Sequence, residues 1–304
     1  MNNILINNEV ILDALGLYVR EPLECHAIGH VGFKRHDFNK MLAFCESERY
    51  LDEMRKESVS AVLCPNDLEG EIRSFGKVAI ISEDPKNDFQ RLRDYLARQN
   101  YKRYPSRIDK STRIPPSAII SEYNVTIGKD VVIQPNATIL SDVSVGDGCF
   151  IGSGTVLGTA FDAKISKLGN VSNNFHDGKL IICDRVEIHS GCVLDKGNSF
   201  HGDTIVGNDC KISHQSYIGH STSIGEKTFV MARVAIAGGV RIGKFVTIDP
   251  GVCVCSYVEI GDHAKISTGA IVAYDVEPHA RMTGNFAVSH ERFMEKFKRD
   301  ATAG

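Results

Sequence analysis

Of the eleven histidines in the chain, His220 has the surroundings that proton-transfer chemistry needs. It closes the run Ile212–Ser221, ISHQSYIGHS, two residues after an aliphatic position of a six-residue repeat. Gly238 follows it by eighteen residues, with Gly239 alongside, and Gly202 precedes it by eighteen. If the chain stacks at that interval, His220 projects outward from a surface cleared of side chains, with room for a ligand on both sides. Imidazole titrates near neutral pH and suits general acid–base work. The plainer reading is that these glycines only serve tight turns. His214 holds the same phase one hexad earlier, on a neighbouring corner, so the two histidines could share a metal only if a second subunit intervened.

The element that must position these residues is the repeat itself. Aliphatic residues recur every six positions at Ile108, Ile114, Ile120 and, after one extra residue, at Ile127, Ile133, Ile139, Val145, Ile151 and Leu157. An irregular stretch from about Thr159 to Lys179 follows. The period resumes at Ile182, Ile188, Leu194, Phe200, Val206 and Ile212, and continues to Val272. Four residues after each comes a small or β-branched residue, such as Val186, Thr204, Ser216, Thr228, Val246 or Ala270. So short a repeat cannot bury its own apolar residue, and successive repeats must stack into one core. Three hexads make one coil of a triangular prism, residues eighteen apart lie above one another, and about eight coils rise roughly 40 Å at strand spacing.

Residues 1–105 lack the repeat. Ser60–Cys64 and Lys77–Ser82 read as buried strands. Phe89, Leu92 and Leu96 mark an amphipathic helix between Asn87 and Asn100, capped by Asn87 or Asp88. The parts expected are a small α/β domain at 1–105, the repeat domain at 106–276 and a tail at 277–304. Within the tail, Ser289–Arg299 reads as a short helix with Phe293 and Phe297 on one face, covering an open strand edge. A net charge of −3 does not mark a nucleic-acid or membrane binder, and no apolar run is long enough to span a bilayer. Nine cysteines without a Cys-x-x-Cys spacing argue against a disulfide framework or zinc knuckle. The absence of a basic n-region before an apolar run adds to the expectation of a cytoplasmic protein. Cys149, Cys192 and Cys210 fall on inward positions, with Cys192 and Cys210 expected to stack as a reduced pair.

At the His220 context the sequence resembles UDP-3-O-acylglucosamine N-acyltransferase, a hexapeptide-repeat family that attaches the amide-linked 3-hydroxyacyl chain of lipid A. The resemblance implies a left-handed parallel β-helix, a fold whose hand the spacing alone does not establish. It places the family's proposed general base on His220. In the segment Met41–Tyr50, MLAFCESERY, it places an aromatic pair that sandwiches a uracil ring on Phe44 and Tyr50, with Ser47 where the family has Asn. The family's Asp-Asn before the Gln is Ser213-His214 here, a second family histidine aligns with Tyr257, and the family's departure from its repeat falls at Gly158–Ala163 (GTAFDA). The terminal helices that dock acyl carrier protein are short here, and Gly284–Ala287 (GNFA) is similar to a tail of acetyl-CoA-dependent transferases.

The function expected is N-acyl transfer from a phosphopantetheine thioester, acyl-CoA favoured over acyl carrier protein, to the amine of a nucleotide-linked amino sugar. The alternative is the lipid A enzyme itself, with 3-hydroxyacyl-carrier protein as donor. A zinc hydratase and a non-catalytic scaffold are the remaining rivals, and no third histidine has the spacing of the γ-class carbonic anhydrases. His220 would take the amine proton, a backbone N–H of Gly238 or Gly239 would stabilise the oxyanion, and Tyr257 would line the donor site. Phe44, Ser47, Tyr50 and His214 would bind the sugar nucleotide. The resemblance further implies a homotrimer with sites between subunits, no bound cofactor and no metal.

Overall fold

The computed structural model describes residues 5–29, 39–198, 200–284 and 289–302. The N-terminal part holds a four-stranded parallel sheet in sequential order, Ala27–Ile28, Met41–Phe44, Val59–Cys64 and Val78–Ile81. Its helices Asn8–Leu15 and Pro85–Asn100 cover one face through Ile11, Leu15, Phe89, Leu92 and Leu96, all buried. The expected strands and long helix are present. The helix begins earlier than expected: Asp84 is its cap, accepting from the Asn87 N–H at 3.3 Å, and Pro85 occupies the first turn. Proline's fixed φ and missing N–H suit that position. Asp88 instead accepts from the Ser82 hydroxyl and from Arg91.

From Arg107 the chain winds into a left-handed parallel β-helix whose three faces are eight-stranded parallel sheets. The first face runs from Arg107–Ile108 to Glu259–Ile260, the second from Val132–Ile133 to Arg281–Met282, and the third from Ile119–Ile120 to Ile271–Val272. The last residue of nearly every strand points inward, and these form one continuous core from Val125 to Val276. Burial of each such aliphatic side chain contributes about 1.5–3 kcal/mol. Inward hydroxyls are satisfied by the next coil: Ser216 donates to the Met231 carbonyl at 2.9 Å and Thr228 to that of Gly243 at 2.8 Å. Ile114 is not a face residue: it is 41% exposed, and its neighbour Arg113 makes only an isolated bridge to Val132.

Two excursions interrupt the winding. The first, expected from the sequence, lies between Val156–Thr159 and Leu180–Ile182 and carries an antiparallel hairpin, Ala163–Ile165 with Val171–Asn173. The second was not expected. Ile182 pairs with Val206, Ile188 with Ile212 and Leu194 with Ile218, so the hexad containing Phe200 is looped out of the prism. The Phe200 ring instead joins the N-terminal core, 5.9 Å from Phe89 and edge-on to it, under the Arg93 guanidinium at 4.0 Å. A large aromatic ring fits that domain junction and overfills a prism lined by Ile, Val and Leu. The shift also separates Cys192 from Cys210. Cys192 lies beneath the Ser216 level and donates to the Ser213 carbonyl, whereas Cys210 donates to that of Gly225. Both thiols are buried, and burial pushes Cys210 up to about 11.

The terminal helix runs His290–Thr302. The side chains of Phe293 and Phe297, and residues Asn285–Ala287, lie outside the described residues.

Since Phe200 packs on the N-terminal helix, Phe200→Ala should destabilise that junction by about 3–5 kcal/mol. Hydrogen exchange should accelerate in Pro85–Asn100 and stay unchanged in the strand Tyr217–Ile218. Acceleration in the strand alone would place Phe200 in the prism core.

Candidate acyl-transfer site

His220 follows the third-face strand Tyr217–Ile218, at the corner before the first-face strand Ser223–Ile224. Its ring lies across Gly238 on the next coil: a Cβ there would stand 2.5 Å from His220 Nε2 and 2.8 Å from Cε1. Only glycine leaves that space. The Gly239 N–H donates to the His220 carbonyl at 2.8 Å. That bond removes Gly239 from the pair of expected oxyanion donors, while the Gly238 N–H has no partner among the described residues. Tyr257, one coil further, lays its ring against Gly239, where a Cβ would stand 2.5 Å from two ring carbons.

The side on which Gly202 was expected to leave open space is filled. Gly202 belongs to the looped-out hexad, where its N–H donates to the Asn198 carbonyl at 2.8 Å. The same loop carries His201, whose ring centre lies 6.2 Å from that of His220 and 5.9 Å from that of Tyr257. The 159–179 excursion adds His176, T-shaped against His220 at 5.4 Å. His220 is thereby 9% exposed.

Burial decides the charge of this histidine. Desolvation lowers the His220 pKa below the ordinary imidazole value, and His176 and Lys164 act in the same direction. Asp162 and Asp195 oppose the shift without reversing it. His220 is therefore neutral at neutral pH, the state a general base requires. Its Nδ1 lies 3.5 Å from the Ser221 hydroxyl, a long contact. Both carboxylates are occupied. Asp162 accepts from Asn174 at 2.6 Å and pairs with Lys164 at 2.9 Å; Asp195 accepts from Thr159 and from the Tyr217 hydroxyl, each at 2.6 Å. They act on His220 through their field and by holding the loops in place.

The other expected site residues lie elsewhere. His214 is exposed on the corner between the second and third faces, its ring 5.0 Å from that of His189. Phe44 ends a sheet strand with its ring 4.9 Å from Phe89. Tyr50 is 44% exposed in the short helix Glu48–Tyr50, and the Ser47 carbonyl accepts from its N–H at 3.1 Å. His176 and Asp162 went unrecognised because they sit in the first excursion, where no period assigns a direction to a side chain; His201, Asp195 and Arg93 went unrecognised because their spacing gives no sign that the Phe200 hexad leaves the prism. A histidine inside the irregular stretch, His176, was the available signal. Among the described residues no three of His, Cys, Asp and Glu are arranged to hold a metal ion.

Residues 124–159 match the family model for the bacterial transferase hexapeptide (six repeats). The UDP-3-O-acylglucosamine N-acyltransferase of Bordetella pertussis is 25% identical over 284 residues, covering 81% of this chain and 77% of that protein. This chain resembles the UDP-3-O-acylglucosamine N-acyltransferases. The protein of that name from Herminiimonas arsenicoxydans is 26% identical over 57% of this chain, and the match spans about half of its own length, 49%. Among solved structures, an Arabidopsis UDP-N-acetylglucosamine acyltransferase covers 58% of this chain at 20% identity, with a TM-score of 0.46.

Two outcomes follow from this geometry. Gly238→Ala should displace the His220 ring and lower turnover at least about tenfold, one step of 1.4 kcal/mol in barrier, with melting temperature little changed. Full activity in that variant would show that the ring's seat is immaterial. The second concerns acid. His176 and His220 both have folded-state pKa values below the ordinary one, so the unfolded chain binds more protons. Their contribution to stability is present above the unfolded pKa and is lost as pH falls. Melting temperature should drop between roughly pH 7 and 5, and drop less in His220→Gln. An equal drop in both proteins would contradict the assignment.

Proposed function

We propose that this chain is an N-acyltransferase that moves an acyl group from a phosphopantetheine thioester to the amine of a UDP-linked glucosamine derivative. The observation that carries this reading is the neutral His220 laid across Gly238, beside a Gly238 N–H that has no partner among the described residues. His220 takes a proton from the sugar amine as the nitrogen attacks the thioester carbonyl. The carbonyl oxygen gains negative charge, and the Gly238 N–H is the donor placed to receive it. Collapse of the tetrahedral adduct expels the thiol, and the proton held on His220 passes to the leaving sulfur. Tyr257 borders the donor side. Phe44, Ser47 and Tyr50 form the nucleotide site, with Tyr50 supplying the exposed ring on which a base can stack, and His214 serves a site completed by a neighbouring subunit.

The donor we adopt is a 3-hydroxyacyl group on acyl carrier protein, as in lipid A synthesis. The relatives' name, UDP-3-O-acylglucosamine N-acyltransferase, gives the reaction and the acceptor, and the carrier-protein donor follows from the resemblance to that family, which we set above the expectation of a short acyl-CoA. The tyrosine at position 257 keeps acyl-CoA as the second reading. The assembly we infer is a homotrimer. The third face presents the outward column Ile119, Thr138, Val156, Val193, Tyr217, Ala235, Cys253 and Ile271, with no charge in it. Ile119 and Ile271 are 65% and 76% exposed. Apolar faces of that kind are covered by association, and His220 stands at this face's border, where a second copy would complete the site. No helix among the described residues is long and apolar enough to cross a membrane.

A donor-by-acceptor screen by mass spectrometry tests the reaction: acetyl-CoA and 3-hydroxyacyl-carrier protein against UDP-linked amino sugars. The expected result is the larger kcat/KM for the carrier-protein donor, with His220→Ala lowering turnover about 100-fold or more at unchanged melting temperature. A larger kcat/KM for acetyl-CoA would replace the lipid A reading. Wild-type turnover in a folded His220→Ala would remove the mechanism.

A further inference from the structure

Five buried side-chain atoms with no hydrogen-bond partner among the described residues lie on segments that pack around Phe200 and His220: Gln90 Nε2, Arg93 Nε, Asn174 Oδ1, His176 Nε2 and Asn198 Nδ2. Their residues are between 1% and 7% exposed. They belong to three separate stretches, the helix Pro85–Asn100, the 159–179 excursion and the looped-out hexad. Contacts join these stretches into one seam. The Arg93 guanidinium lies over Phe200, the Phe175 N–H donates to Asp94 at 2.8 Å, and His176 and His201 flank His220.

The partners these groups do have settle what each free atom is. The Gln90 oxygen accepts from Arg93 at 2.6 Å, so the free Gln90 atom is an N–H donor. The Asn198 oxygen accepts from the His201 N–H at 2.7 Å, so its free atom is likewise a donor. The Asn174 amide nitrogen donates to the Asp162 carboxylate, leaving its oxygen free to accept. His176 Nδ1 lies 3.3 Å from the Lys196 carbonyl oxygen, which can only accept, so Nδ1 bears the proton and Nε2 is a bare lone pair. The free set is three donors and two acceptors. An anion could use only the donors and a cation only the acceptors. A group that both donates and accepts at several points, as the hydroxyls of a sugar ring do, matches both kinds.

We propose that this seam is the subsite for the acceptor's sugar ring, and that the excursion hairpin is the lid over it. The proposal rests on the acyl-acceptor reading above. The five atoms are closed to solvent, so the ring enters when the hairpin lifts from the helix. Polar bonds hold the hairpin down: Lys86 donates to the Ile165 carbonyl at 2.9 Å, and Ser166 and Asn170 donate to Asp84 at 2.6 and 2.7 Å. Its apolar residues stay outside, Ile165, Leu168 and Val171 being 64–67% exposed. A segment with so little buried apolar area opens at low cost. Hydroxyls entering the seam replace contacts that the closed protein leaves unmade, which discriminates a sugar-bearing nucleotide from the bare nucleotide.

Calorimetry with UDP-glucosamine and with UDP tests this, using His176→Asn and Asn198→Asp. The first keeps a donor at the Nδ1 position and removes the Nε2 acceptor; the second exchanges the free N–H for an oxygen. Each should weaken UDP-glucosamine binding about tenfold or more and leave UDP binding unchanged, with melting temperature as the check on folding. In the wild type, UDP-glucosamine but not UDP should alter amide exchange across residues 163–173. Unchanged UDP-glucosamine affinity in either folded variant, or exchange indifferent to the sugar, overturns the subsite. If wild-type protein acylates the amine and these results are negative, only the subsite falls. If wild-type protein acylates no amino sugar, the parent reading falls and takes the subsite with it.

Discussion

The whole structure depends on the inability of six residues to bury anything alone. Each hexad offers one aliphatic side chain to the axis, and that side chain leaves water only when coils above and below close over it. Strand pairing supplies the same condition a second time, because two-residue strands are too short to persist without neighbours on both sides. The ends of the prism show the constraint by failing it: Ile108 at the first coil is 38% exposed, whereas Ile151 and Ile188 in the middle are fully buried. A scaffold governed this way has rigid faces and repeated corners, so a side chain on a corner occupies a defined position from coil to coil.

A regular prism has no enclosed site, however. His220 on a perfectly repeating corner would stand in water, with an ordinary imidazole pKa. The two excursions change that. They bring His176 and His201 over one corner, carry Asp162 to within range of its field, and attach the N-terminal helix through Phe200 and Arg93. The proposed chemistry therefore sits where the repeat is broken, and the unbroken coils hold the floor on which it rests. The closing loops add polar atoms that the fold itself does not satisfy, a cost accepted at sites of recognition more often than in cores.

This division explains what could be read from the residues. The hexads that stay in the prism gave direction to the side chains they contain, so the prism, the inward Ile212 and Ile218, and the outward His220 over Gly238 were all legible. The helix at Phe89, Leu92 and Leu96 was legible for the same reason, a period of about 3.6. The Phe200 hexad was misread because it keeps the spacing while leaving the prism; an aromatic residue at a position otherwise filled by Ile, Val and Leu, followed by His201-Gly202, was the available warning. His176 and Asp162 were not legible at all. Their positions depend on the excursion docking against Asp84 through its hairpin and against Asp94 through Phe175, contacts between segments about 80 residues apart that no local pattern encodes.

How His220 is aimed completes the physical account. In many histidine bases a carboxylate bonds the far ring nitrogen and fixes both tautomer and orientation. Here Asp162 and Asp195 have their oxygens committed to Asn174, Lys164, Thr159 and Tyr217, and the Nδ1 contact to Ser221 is long. Orientation comes instead from packing: Gly238 below the ring, His176 and His201 against its other sides, and the backbone bond from Gly239 holding the corner shut. Packing can hold a ring without charging it. A bonded carboxylate would raise the pKa and favour imidazolium, while burial among rings and glycine backbone lowers it. With desolvation outweighing the two carboxylate fields, His220 is held unprotonated, the state the proposed base requires, and the same enclosure strengthens dipoles aimed at the charge that forms in the proposed attack on the thioester.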